Sequence, residues 1–190
     1  MTRDDIITLP NSHLRQRSKK IGIITPDIKE LAASMIAATL DWEVSRAHEL
    51  GVALAAIQVD FALRIMVVRN NFEDKDDRSF NVFLNPEITK KEGEIIEDLE
   101  GCLSVPDIYG KVKRYSKIRF KALTPTGQEI RAGAEGFLAR IIQHEIDHMN
   151  GTVFIDHIKD IPDVFYRLND KGELESLNYE SDIKNNSILW

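Results

Sequence analysis

Apolar side chains recur every three to four residues from Asp27 to Leu50, with Ile28, Leu31, Ala32, Met35, Ile36 and Leu40 on one stripe. That period predicts a long N-terminal helix with one buried face. Thr25 is placed to cap it, Pro26 suits its first turn, and Gly51 is placed to end it in a left-handed turn. His48, near that end, reads as a cation beside the negative end of the helix dipole. After Gln58 the pattern changes to strands. Leu63–Val68 and Phe80–Leu84 flank a densely charged stretch, Asn70–Ser79, which reads as a solvated hairpin tip. Ile118, Phe120 and Ala122 alternate with Arg119 and Lys121, the mark of a half-buried strand. Thr124-Pro-Thr-Gly127 turns the chain into Gln128–Arg131.

A second helix is expected from about Ala134 to Met149, ended by Asn150-Gly151. Phe137, Leu138, Ile141 and Ile142 make it apolar around much of its circumference, so it belongs inside the fold. Val164–Leu168 and Glu173–Leu177, around Asn169–Gly172, read as a late hairpin. The expected architecture is α+β, with antiparallel sheets packed around a central helix and the long N-terminal helix outside.

Composition narrows the class. The 190 residues suit one domain, residues 1–190, with a single proper core. Hydrophobic residues at 43% and charged residues at 29% are ordinary for a globular chain. A net charge of −6 argues against nucleic-acid binding as the main task. The chain has no apolar run near the ~20 residues of a membrane helix. Its start, Met-Thr-Arg-Asp-Asp-Ile-Ile-Thr, lacks the parts of a signal peptide. With one cysteine and no disulfide framework, a reducing cytoplasm is expected.

The central helix carries the chemistry. In Gln143-His-Glu-Ile-Asp-His148 two imidazoles stand four residues apart, on one helical face, with Glu145 between them. His144 and His148 can grip one metal ion, and Glu145 then sits where a general base is needed. A catalytic metal site needs a third protein ligand and an open position. Cys102 is the lone cysteine and has three readings: a small packed hydrophobe, a thiolate ligand, or a nucleophile with a histidine base. The nucleophile reading leaves the second histidine and Glu145 unexplained, so it ranks below the ligand reading. His13 and His157 have no companion ligands in sequence and read as ordinary surface or packing residues. Asp147 and Glu100 are candidates to orient the ligands, Asp147 through an arginine such as Arg114.

Three segments, Gly51-Val-Ala-Leu-Ala-Ala-Ile-Gln58, Glu100-Gly-Cys-Leu-Ser104 and Gln143-His-Glu-Ile-Asp-His-Met-Asn-Gly151, resemble in order the three signature motifs of the peptide deformylases. The resemblance spans about Leu14 to about Leu177. Ala53 departs from a usual Gly, Ile57 from a frequent Pro, and Met149 from a usual Leu. The resemblance implies a hydrolase that removes the N-formyl group from the initiating methionine of new polypeptides, releasing formate and a free amino terminus. It implies one divalent metal per chain held by Cys102, His144 and His148, with Fe²⁺ native and oxygen-sensitive and Zn²⁺, Ni²⁺ or Co²⁺ able to substitute.

In this scheme a metal-bound water attacks the formyl carbon, Glu145 accepts and returns its proton, and the Gln58 amide and Leu103 N–H are the oxyanion donors. Phe137, Arg140 and Ile141 precede His144 by seven, four and three residues and are expected to wall a pocket for the methionine side chain. Glu100 is counted with them, and Val52-Ala53-Leu54 is expected to pair with the peptide as an added strand. The partners expected are nascent formyl-methionyl polypeptides at the ribosome, met by a monomer in a bacterial-type cytoplasm. Two rivals stand beside this reading. Metallopeptidases with a His-Glu-x-x-His helix take their third ligand downstream, whereas Cys102 lies upstream. A structural metal module needs a fourth protein ligand, and with no second Cys that ligand would be another His or an acid.

Overall fold

In the computed structural model, which describes residues 1–46, 48–169 and 171–190, the N-terminal stripe forms helix α1 (Pro26–Val44). It buries Leu31, Ala32, Met35, Ala38, Thr39 and Trp42. The helix stops six residues short of the expected Leu50. Glu43 turns its carboxylate back to accept the Gly51 N–H at 2.9 Å and to pair with Arg69, and Ser45 Oγ donates to the Trp42 carbonyl at 3.1 Å. His48 therefore lies beyond the helix, and its dipole role falls away. Gly51 does not terminate the helix either. It is needed for close approach, since a Cβ there would lie 2.6 Å from Thr39 Cγ2. Ala47, inside the expected helix, and Asp170, in the late turn, lie outside the described residues.

The strands are β1 (Ala53–Ala55), β2 (Ile65–Arg69), β3 (Phe80–Cys102), β4 (Val105–Leu123), β5 (Glu129–Glu135), β6 (Phe165–Leu168) and β7 (Leu174–Ser176). They form one antiparallel sheet in the order β1-β2-β3-β4-β6-β7, with β5 also paired to β4. Helix α2 (Gly136–Met149) packs Ala139, Ile141, Ile142 and Met149 against this sheet. It begins two residues later than expected, because Ala134 and Glu135 close the β5 ladder opposite Ile118 and Lys117.

β1 and β2 are buried on both faces, which is why their sequences are nearly continuous apolar runs. Ala53, Ala55, Met66 and Val68 pack on α2, while Leu54, Ile65 and Val67 pack on α1. The larger of these side chains, Leu54, Ile65, Met66, Val67 and Val68, contribute about 1.5–3 kcal/mol each. A third cluster joins Leu9 and Leu14 to Phe154, Phe165, Leu177 and Leu189, so the C-terminal segment closes over the N-terminal one.

β3 and β4 run far beyond the expected Phe80–Leu84 and Ile118–Ala122. Together they make one long hairpin whose turn is Leu103-Ser104, with Cys102 facing Val105. Register shifts interrupt it, one at Gly93, whose φ of +75° suits glycine. The late hairpin forms as β6 and β7, in register Leu168 to Leu174.

Candidate metal centre and active-site cavity

Cys102 ends β3 at a tight turn, and His144 and His148 lie one helical turn apart on α2. The fold brings their ligand atoms within 4.8 Å of one another. His148 Nε2 is 3.2 Å from both Cys102 Sγ and His144 Nε2. Lone-pair atoms pressed this close repel unless a cation lies among them, so the set fits a divalent metal. A soft thiolate with two imidazoles suits zinc, iron, nickel or cobalt. His157, Asp147 and the other described acids lie outside this group of three.

The ligands are oriented from behind. His144 Nδ1 donates to Glu100 Oε2 at 2.9 Å, which leaves Nε2 free to face the sulfur. Arg114 grips Glu100 with two bonds of 2.9 Å, and Arg140 donates to Oε1 at 2.7 Å. Burial pushes the Glu100 carboxyl up, but Arg114 and His144 outweigh it and hold the group well below the usual range. Asp147, although raised by burial, is likewise held down by His157 at 2.7 Å and by Arg114. His157 is thus a partner of Asp147, and His13 an exposed partner of Asp60.

Gln58 follows β1 in a short 3₁₀ turn, Ala56–Val59. Its Oε1 accepts the Ala55 N–H at 2.8 Å, which aims Nε2 at Cys102 Sγ, 3.5 Å away, and at Ser104 Oγ, 3.2 Å away. Leu103 occupies the turn between them. Glu145 is buried, and its Oε2 has no hydrogen-bond partner among the described residues. Burial raises its pKa to about 7, with neighbouring Glu100 adding to the rise and His144 opposing it.

These groups open onto a cavity of about 480 Å³. Val52, Ala53, Gln58, Cys102, Leu103 and Glu145 line it, with Phe137 and Ile141 beside them. Leu54 does not line it; its side chain is buried against α1, so only its backbone is available to a peptide. β1 is the terminal strand of the sheet, which leaves an edge for an added strand. Arg140 and Glu100 touch the cavity, but their charged ends are spent on each other. Arg140 also donates to the Val112 and Ile96 carbonyls at 2.8 Å each.

The charged stretch Asn70–Ser79 is more than a solvated tip. Arg69 pins it by donating to the Asp77 carbonyl at 2.6 Å, and Phe72 packs edge-on to Phe137 at 5.4 Å in the cavity wall. Trp42, Tyr109 and Leu168 also line the cavity without any sequence signal having marked them, and Ser104 braces Gln58. Only the spacing of Ser104 from Cys102, inside one short motif, offered a clue.

The Polypeptide deformylase family model matches residues 3–163. The chain belongs to the polypeptide deformylase family. The match starts before Leu14 and stops before the expected Leu177, leaving β6 and β7 outside it. A peptide deformylase of Psychrobacter arcticus is 41% identical over 153 residues, 80% of this chain and 78% of its own. One from Thermomicrobium roseum is 38% identical over 158 residues, 82% and 85% of the two chains. The crystal structure of a peptide deformylase from Synechococcus elongatus in complex with actinonin superposes with a TM-score of 0.74 at 30% identity, covering 82% of this chain and 80% of that one.

A class I type b peptide deformylase of Acinetobacter baumannii, solved with Met-Ala-Ser bound, gives 0.68 at 31% identity, covering 80% and 96%. The chain is therefore a metal-dependent deformylase-family hydrolase acting on formylated nascent peptides, and it carries a Cys/His/His cluster that could hold a metal ion. Among the described residues no helix is long and apolar enough to cross a membrane.

Proposed function

We propose that this chain deformylates the initiating methionine through the residues gathered in the cavity, with Fe²⁺ as the native metal. The observation that carries the reading is Glu145, a carboxylate buried beside His144 with an oxygen that no donor among the described residues satisfies. A divalent ion held by Cys102, His144 and His148 supplies Lewis-acid polarisation and makes a water in the cavity easier to deprotonate. Glu145 takes the proton of the attacking water and returns it to the leaving amine. Gln58 Nε2 and the Leu103 N–H donate to the oxyanion of the tetrahedral intermediate, each worth ~2.7–4 kcal/mol of transition-state stabilisation. The Gln58 carbonyl oxygen is tied to Ala55, so the amide meets that charge already oriented.

Phe137 and Ile141, with Val52 and Phe72, offer apolar walls to the thioether of the methionine. Val52, Ala53 and Leu54 offer a free strand edge to the peptide backbone. Glu100 and Arg140 act through His144 and the sheet, as positioning residues. The Met-Ala-Ser ligand of the Acinetobacter relative has the form of a deformylated product, which supports a peptide substrate that begins with methionine. We read the chain as a monomer working in the cytoplasm at the ribosome. Formate release from formyl-Met-Ala by iron-loaded protein kept under anaerobic conditions tests the reading; cleavage of unblocked peptides in its place would favour a metallopeptidase.

A further inference from the structure

The family match ends at residue 163, yet the chain continues into β6 and β7, and both strands reach the cavity. Leu168 and Leu174 are direct cross-strand partners, so they leave the hairpin on one face, and both line the cavity. Leu174 is 43% exposed, an apolar surface open at the cavity. The hairpin is fixed at its base, where Phe165 and Tyr166 pair with Gly110 and Tyr109 of β4 and Phe165 is 1% exposed. It is also docked near its tip. Gly172, at φ +79°, lies so close to His48 that a Cβ would meet its Cγ at 2.9 Å, an approach that suits glycine. His48 belongs to the segment after α1, and that segment, with Trp42 and Leu50, lines the cavity as well.

The rest of the lining is already assigned. Cys102, His144 and Glu145 take the formyl group, and Phe137, Ile141, Val52 and Phe72 take the methionine. What remains is an apolar group that includes Leu50, Pro106, Leu168 and Leu174, beside the polar His48, Glu49, Asp107 and Tyr109. The nearby carboxylates of Glu49 and Asp107 are occupied by Arg46, and Tyr109 donates to Glu49. We propose that the β6–β7 hairpin is a specificity-determining wall, in which Leu168 and Leu174 contact an apolar side chain of the peptide downstream of its formylmethionine. This rests on the deformylase reading above.

The test compares kcat/KM for formyl-Met-X-Ser and formyl-Met-Ala-X, with X as Leu or Ala, in wild type and in Leu168→Ala, Leu174→Ala, Leu174→Asp and Gly172→Ala. Leu174 is exposed enough for its substitutions to leave the fold intact, which thermal unfolding checks. The wild type should favour Leu over Ala in at least one series. Each variant should cut that preference, by about tenfold for Leu174→Asp. A preference unchanged in both series, or an equal loss for Leu and Ala peptides, overturns the wall. A wild type that releases no formate from any of these peptides overturns the deformylase reading and the wall with it.

Discussion

Glu145 and Cys102 separate two roles that a single loss of activity would blur. In Glu145→Gln the amide keeps the size of the carboxylate but cannot take a proton at neutral pH. Metal content should stay near wild type while formate release falls by at least ~10²–10⁴-fold. Retained metal with near-normal turnover would contradict the base. In Cys102→Ser the hydroxyl is a poorer ligand than a thiolate, so metal should be lost on dialysis against a chelator. One metal per chain after that dialysis would make Cys102 a packing residue. His144, His148 and Glu145 were legible in sequence because helical spacing alone puts them together. Cys102 could be read as a ligand because it is the lone cysteine, but packing stayed open as an alternative, since only the β3–β4 turn carries it to them. Arg140 and Leu54 were less legible. Sequence placed both near the site, but the direction of each side chain is set by its partners. Arg140 turns to Glu100 and to carbonyls of β3 and β4, and Leu54 turns to α1.

Arg114 ties the elements that hold the site, reaching from β4 to Glu100 on β3 and to Asp147 on α2. The Arg114→Met variant takes one guanidinium from buried Glu100, which keeps Arg140, and from half-buried Asp147, which keeps His157, and should lose about 1–3 kcal/mol, read by urea unfolding. The network also predicts a pH dependence. Glu100 and Asp147 titrate below their ordinary values of 4.5 and 3.8, so their contribution is full above that range. It is lost as pH falls through the depressed folded values. Chelator-treated wild type should therefore lose stability on acidification below about pH 4, and Arg114→Met should lose less over the same interval. Parallel losses in the two proteins would sink this account.

The elements were legible where one face is buried, as in α1 and in Ile118–Ala122. They were not legible in the outer half of the β3–β4 hairpin. There Lys90–Asp98 is mostly exposed, with Ile95 and Ile96 at 57% and 46%, so no alternation marks the strand. Its ladder holds it extended, not a hydrophobic face. The end of α1 was misplaced because its stop is tertiary, through Glu43, Gly51 and Arg69.

For the molecule as a whole, the Cys/His/His set and the family together set an order among metals. Freshly loaded Fe²⁺ protein should have the highest kcat/KM on formyl-Met peptides and decay in air. Ni²⁺ or Co²⁺ protein should be active and air-stable, and Zn²⁺ protein clearly slower at equal occupancy, since the thiolate dampens its Lewis acidity and zinc favours a closed four-coordinate state. A zinc form equal to iron would overturn the iron assignment and leave the chemistry standing. That chemistry has its own direct test. Formate should be measured with formyl-Met-Ala and with unblocked Met-Ala, using anaerobic iron-loaded protein beside the same protein stripped by chelator. Stoichiometric formate and free Met-Ala from the blocked peptide, only with metal and with the Met-Ala bond left intact, is the predicted result. Cleavage of the Met-Ala bond, or formate release independent of metal, would contradict it.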